Sequence, residues 1–307
     1  MNIGFIGVGG VGGYFGGKVS KLLDDKSLDI NLYYIARGKH LAEIRKNGLK
    51  LKTSDSGDFI CIPTLATDNF NELPILDVCF ICVKQYDLEN TLNNLLNIID
   101  DNTQIIPLLN GVDIYDRIRK VIKKGIVFPS CVYVGTHIES PGVISQNGGS
   151  CTIIFGEDPQ NKQANPKCIC EIMKKANIKY QWSSNNVEEI WSKYMFIAAY
   201  GLVTASENKT LGQVFEDEEA SRKVLSIMNE ILCISKAEKV NLPDDIIEKS
   251  YNKAKGFSYE TKTSFQRDYE IKDKPNEKEL FGQAIIDLGQ KHNIPTPITK
   301  MVYEKLN

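Results

Sequence analysis

The chain has 307 residues, 42% hydrophobic and 25% charged, with a formal net charge of −2. One core grows inefficient at this length, so two domains fit better, and the near-neutral charge offers no basic field for nucleic acid. No apolar run approaches the roughly 20 residues that span a bilayer. The start of the chain lacks the basic and long apolar regions of a signal peptide, so a cytoplasmic address is expected.

The chain opens on "NIGFI", a strand-like run, followed by "GVGGVGGYFGGKVSKLL", a helical pattern with seven glycines from Gly7 to Gly17. Each glycine in a helix costs about 1 kcal/mol against alanine. Gly7, Gly9 and Gly12 have G-x-G-x-x-G spacing between a strand and a helix, where that spacing carries physical meaning. The first permits a tight turn, the second lets a pyrophosphate approach the backbone, and the third lets helix pack close on strand. With Val8, Gly10 and Val11 they form the expected dinucleotide-binding turn. Gly10, Gly13, Gly16 and Gly17 read as positions of close approach by ligand or strand.

The second strand, "INLYYIA", runs into "RGKHL", and no acid lies between Asn31 and Ala42. An NAD site offers a carboxylate to the ribose hydroxyls at this tip. Here Arg37, Lys39 and His40 crowd it instead. A carboxylate repels a 2′-phosphate and a guanidinium can grip one bidentately, so NADPH is the expected cofactor, with Arg37 its main phosphate contact.

Further along, "ILDVCFICV", "LENTLNNLLNII", "TQIIPLL" and "VDIYDRIRKVIKK" continue the alternation of strand and helix patterns that marks a doubly wound, mostly parallel α/β sheet. Cys79 and Cys82 form a CxxC inside a continuous strand-like run, without the second pair that zinc requires. With Cys61, Cys131, Cys151 and Cys233 they read as core thiols, and Cys168 and Cys170 point to different faces of a helix. No metal is expected. After Gly125 the runs "GIVFPSCVYVGTHIE", "GVISQ" and "CTIIFGE" suggest an antiparallel extension, with Asn147, Gly148 and Gly149 turning a hairpin between the last two. Beyond Asn186 nearly everything has helical period. The expected division is a doubly wound α/β domain over 1–183 and an all-helical domain over 184–307.

The segments "GFIGVGGVGGYFGG", "ARGKHLAEIRKNGL", "CFICVKQYDL", "IIPLLNGV", "EEIWSKYMFIAA", "TSFQRDYE…PNEKEL" and "NIPTPITKMVYEKL" together resemble the ketopantoate reductase (2-dehydropantoate 2-reductase) family over nearly the whole chain. The resemblance implies that 1–183 is an NADP-binding Rossmann domain and 184–307 a helical substrate and catalytic domain, with the active site in the cleft between them. It implies that Lys193 is the general acid, that Lys84 lies near the nicotinamide end of that cleft, and that Asn110 belongs to the "NG" loop. Ser264 and Glu277 become substrate contacts, and Asn110 and Glu277 are counted with both cofactor and substrate.

Each of these residues also has a plainer reading. Lys193 lies in a segment apolar around most of its circumference, where a lysine either faces a cleft as a proton donor or snorkels to solvent. Lys84 and Asn110 come at the C-terminal ends of parallel strands, where open α/β sheets bind ligands. Glu277 follows Asn276, an N-cap candidate, so it can be a helix-start acid. Ser264 can be a helix cap or hold the substrate carboxylate. Asp268, one turn later, orients neighbours. Where the family commonly carries asparagines one and two turns after the lysine, this chain has Ile197 and Gly201, so its pocket is more apolar or differently shaped.

The expected activity is NADPH-dependent reduction of a small 2-oxo acid to a 2-hydroxy acid, with ketopantoate to pantoate, a step of pantothenate biosynthesis, as the leading substrate. The alternatives are another 2-oxo acid, a β-hydroxyacid dehydrogenase, whose second glycine-rich segment before the lysine is missing from "NNVEEIWSK", and a non-catalytic NADPH-binding sensor. The expected partner is a small-molecule acid rather than nucleic acid or membrane, with a homodimer as the assembly to consider.

Overall fold

The first strand, β1 (Asn2–Ile6), is buried from Ile3 to Ile6 on both faces, as a central strand of a parallel sheet must be. The protein is described by a computed structural model over residues 1–54, 57–271 and 275–306. After β1 come α1 (Gly10–Ser20), β2 (Asn31–Ile35), α2 (Gly38–Asn47), β3 (Leu49–Lys52), β4 (Phe59–Cys61), β5 (Leu65–Thr67) and β6 (Val78–Ile81). Then follow α3 (Leu88–Leu95), β7 (Gln104–Pro107), α4 (Ile114–Val121) and β8 (Ile126–Val127).

Six strands form one sheet in the order β5-β2-β1-β6-β7-β8, and every pair in it is parallel. Period-two alternation sends neighbouring side chains to opposite faces. Ile3, Phe5, Val78 and Phe80 accordingly join one hydrophobic core, while Ile6, Cys79 and Ile81 join another. A core on each face is the doubly wound arrangement. The chain leaves β1 toward β2 on one side and returns to β6 on the other, so the strand order reverses there, which is where such sheets open a crevice at their C-terminal edge.

The next strands are β9 (Ser130–Tyr133), β10 (Thr136–Ser140), β11 (Val143–Gln146) and β12 (Thr152–Phe155), then α5 (Lys167–Lys175) and β13 (Lys179–Trp182). Antiparallel pairing is present, carried in two further sheets ordered β10-β11-β3-β4 and β13-β12-β9. The expected hairpin across Asn147, Gly148 and Gly149 is not formed: β11 pairs with β10 and β3, and β12 with β9 and β13. Gly148 and Gly149 do take positive φ, but they carry the chain from one sheet to another. The hairpin lies one turn earlier, between β10 and β11, where Gly142 has φ +75°.

A buried ion pair fastens this part of the molecule. Asp158, fully buried, accepts from the Arg119 guanidinium on α4, from the Tyr115 hydroxyl at 2.6 Å and from the Val127 N–H at 3.0 Å. Of the cysteines expected in the core, Cys61, Cys79 and Cys131 are buried, Cys82 and Cys151 half-buried, and Cys233 is exposed. Cys233 is a correction: its apolar neighbours in sequence belong to a helix, whose outer face it occupies.

Contacts divide the chain into two compact units, Met1–Asn186 and Val187–Asn307. The second is built from α6 (Asn186–Glu207), α7 (Leu211–Glu216), α8 (Glu218–Ala237), α9 (Ile246–Asn252), α10 (Ser264–Tyr269), α11 (Ala284–Lys291) and α12 (Pro297–Glu304). A π-helical turn over Glu279–Gln283 leads into α11. Thr210 and Gln213 close a reciprocal capping box on α7, and the Asp217 side chain caps α8 through the Ala220 N–H at 2.8 Å. Buried Glu230 of α8 accepts the Ile298 and Thr299 N–H groups at 2.8 and 3.0 Å, holding the start of α12. Among the described residues no helix is long and apolar enough to cross a membrane.

Candidate active site

The glycine turn connects the end of β1 to α1. Gly7 has φ +95°, and its N–H and that of Val8 bond the Ile35 carbonyl at 3.0 and 3.1 Å, tying the turn to the end of β2. A Cβ on Gly12 would lie 2.1 Å from the Gly7 carbonyl oxygen, so this helix can meet this turn only through glycine. A Cβ on Gly9 would meet nothing within 4 Å. The first and third fingerprint glycines are therefore required by the protein's own packing, while the second faces open space. The helical bond of Gly13 N–H to the Gly9 carbonyl comes after Gly10, Val11 and Gly12, whose N–H groups belong to the first turn and have no intrahelical acceptor. With no acid in that turn, the helix end suits an anion. Gly13 and Gly17 serve a different purpose, since Cβ atoms there would strike Ile144 of β11 and Leu51 of β3. α1 is thus pressed against the second sheet, and the close approach at these glycines is that of strand, not ligand.

Arg37 stands at the entrance of α2 in extended conformation, with its side chain 73% exposed. Its guanidinium is paired with Asp87, which closes a short 3-10 turn over Gln85–Asp87 after β6. His40 does not share the role of Arg37. Its Nδ1 accepts the Gly142 N–H at 3.0 Å, so a proton is left for Nε2 only. Burial lowers its pKa, with the Val8 carbonyl acting more weakly in the opposite direction. The ring is a neutral support between the glycine turn and the β10–β11 hairpin. Lys39, by contrast, is exposed.

Lys84 follows β6 and begins the Gln85–Asp87 turn; Asn110 follows β7, just before Gly111 at φ +125°. The parallel strands thus carry the glycine turn, Arg37, Lys84 and Asn110 to one C-terminal edge. The thiols of Cys79 on β6 and of Cys82 just after it are pushed far up by burial, and Cys79 adds to the effect at Cys82.

In the second unit Lys193 is 8% exposed on α6, Ser264 is the first residue of α10, and Glu277 is 4% exposed before the π-helical turn. Thr263, not Ser264, caps α10, accepting the Gln266 N–H at 3.1 Å. Asn276 accepts the Lys278 N–H at 3.1 Å at the helix entrance, leaving Glu277 buried beside it. Lys272, Asp273 and Lys274 of the same run lie outside the described residues. Four contacts gather these elements. The Tyr194 hydroxyl, next to Lys193, donates to the Leu280 carbonyl at 2.6 Å. Phe281 packs on both Tyr194 and Phe265, with centroids 6.5 and 5.3 Å apart. Thr204 meets Thr263 at 3.0 Å. Along the face of α6 that bears Lys193, a Cβ on Gly201 would be in ordinary contact with Phe265 at 3.6 Å. The aromatic ring of α10 thus approaches the place where a pocket asparagine was expected.

Family models described as ketopantoate reductase PanE/ApbA and its C-terminal domain match residues 3–160 and 185–307. An uncharacterized oxidoreductase, YkpB, of Bacillus subtilis (strain 168) is 26% identical over 98% of this chain and 96% of its own length. A 2-dehydropantoate 2-reductase of Streptococcus pyogenes serotype M6 is 25% identical over 97% and 94%. The crystal structure of a PanE/ApbA family ketopantoate reductase from Ralstonia eutropha JMP134 superposes with a TM-score of 0.89 at 22% identity, covering 100% of this chain and 97% of that one. Both domains of the family are matched in order across almost the full length, and the chain belongs to the ketopantoate reductase family of nicotinamide-dependent oxidoreductases.

Proposed function

We propose that the protein is a cytoplasmic NADPH-dependent reductase of a small 2-oxo acid, with ketopantoate, giving pantoate for pantothenate biosynthesis, as the first substrate to test. The observation that carries the reading is Lys193, a lysine only 8% exposed on a largely apolar helix. Tyr194 and Phe281 fasten its helix to the segment that carries Glu277, which supports a shared site.

The dinucleotide would supply the hydride. The open face at Gly9 and the first-turn N–H groups of α1 fit its pyrophosphate, Arg37 its 2′-phosphate, and Lys84 and Asn110 its nicotinamide end. Lys193 polarises the keto oxygen and gives it the proton that completes the hydroxyl as negative charge develops there. Ser264 holds the substrate carboxylate, and Glu277 accepts a hydrogen bond from a substrate hydroxyl.

The test is a panel of branched 2-oxo acids with the purified protein, following NADPH oxidation. Turnover should occur, and Lys193→Ala should depress kcat by about 10²-fold or more, the usual range for a lost general acid, while NADPH still binds. Unchanged turnover in that variant refutes the acid role. NADPH binding without turnover of any acid favours a non-catalytic sensor, a reading to which Ile197 and Gly201 lend support.

A further inference from the structure

The tip of β2 carries no acid of its own, but the fold brings one there. β1 lies between β2 and β6 in the sheet, so the ends of β2 and β6 are two strand spacings, about 10 Å, apart. Arg37 comes two residues after β2, and Asp87 ends the turn that follows β6. Their ion pair therefore crosses the C-terminal end of β1, over the turn where Gly7 and Val8 leave the sheet.

From this we infer that Asp87 sets the cofactor preference by competing with the 2′-phosphate for the Arg37 guanidinium. The inference rests on the reading of this edge as a nicotinamide-dinucleotide site. Arg37 uses its terminal Nη2 toward Asp87 Oδ2, one of the donors a phosphate would engage in a bidentate grip. An exposed pair of this kind contributes little net stability, so a phosphate bearing close to two negative charges displaces the carboxylate. The released carboxylate, whose side chain is only 25% exposed, then stands beside that phosphate and repels it. NADH brings no phosphate to this place and leaves the pair intact. Asp87 thus lowers affinity for NADPH selectively and narrows the preference that Arg37 by itself would impose. The Asp87 side chain makes no capping hydrogen bond to α3, so the isosteric amide does not disturb that helix.

The experiment measures binding of NADPH, NADH and 2′,5′-ADP to the full-length wild type, Asp87→Asn and Arg37→Ala proteins by titration calorimetry, independently of any 2-oxo acid. Asp87→Asn should tighten NADPH and 2′,5′-ADP by about three- to tenfold, the effect of removing one nearby like charge at a partly exposed site, and leave NADH within about twofold. The gain should shrink as salt is raised and should vanish when Asp87→Asn is combined with Arg37→Ala. Weaker NADPH binding in Asp87→Asn would mean that the carboxylate presents the guanidinium to the phosphate, and would overturn the inference; equal shifts for NADPH and NADH would do the same. Wild-type protein that binds neither dinucleotide would overturn the cofactor reading and this inference together, whereas dinucleotide binding without reductase activity would leave it standing.

Discussion

Two glycines five residues or fewer from Gly7 illustrate how one residue type serves unlike ends. Gly12 is required by packing, because any side chain there runs into the Gly7 carbonyl, while Gly9 at φ −89° has room for a methyl group. Gly9→Ala should therefore fold with an unchanged denaturation midpoint yet bind NADPH at least about tenfold more weakly, as expected where backbone must approach a pyrophosphate. Gly12→Ala should lower the midpoint itself, by the equivalent of about 1–3 kcal/mol of overpacking. Urea denaturation and cofactor titration of the two variants check this, and matching phenotypes would refute the division of roles. The fingerprint spacing was legible in the sequence at all three positions because a tight turn from strand to helix leaves few residue types possible. His40 was not legible, since its neutral state depends on Gly142, 102 residues away.

Among the elements, α8 shows how a helix start becomes sensitive to acid. The Asp217 pKa is held down at about 2, first by the hydrogen bond from the Ala220 N–H and then by the Lys209 ammonium. A carboxylate whose pKa falls on folding contributes stability that is fully present above its unfolded value and is lost as pH falls through its folded value. The window here runs from the ordinary 3.8 down to about 2. Asp217→Asn should flatten that part of the stability-against-pH curve without altering its shape near neutrality, where an amide still caps the helix; an unaltered acid limb, measured by urea denaturation across that range, would count against it. Boundaries and pairings were harder to foresee than the elements themselves. Asn147, Gly148 and Gly149 carry turn chemistry whichever strand comes next, and the local signal does not specify whether the chain folds back on its own strand or passes to another sheet. β11 passes its edge to β3, nearly a hundred residues earlier in the chain, because both present apolar faces to the glycine side of α1.

At the scale of the molecule, each of the two compact units contains one tryptophan, Trp182 in the first and Trp191 in the second. Trp182 packs on Phe155 at 5.1 Å and Trp191 lies buried against Tyr194, so the variants Trp191→Phe and Trp182→Phe leave one reporter per unit. A ligand stabilises the structure it binds, by about 2.7 kcal/mol at a hundredfold excess over Kd. Saturating 2′,5′-ADP should raise the urea midpoint reported by Trp182 more than that reported by Trp191; equal increases would show that the units unfold as one. The amino-acid sequence by itself determined the alternating parallel architecture, the helical second half and the glycine turn, because periodicity and glycine spacing are local properties, whereas Lys193 was singled out by the family resemblance and not by its own helix. Only the tertiary structure decided which charge meets Arg37, which strands share a sheet and which ring approaches Gly201. Those contacts join residues tens of positions apart, and their partners are selected by the packing of whole elements.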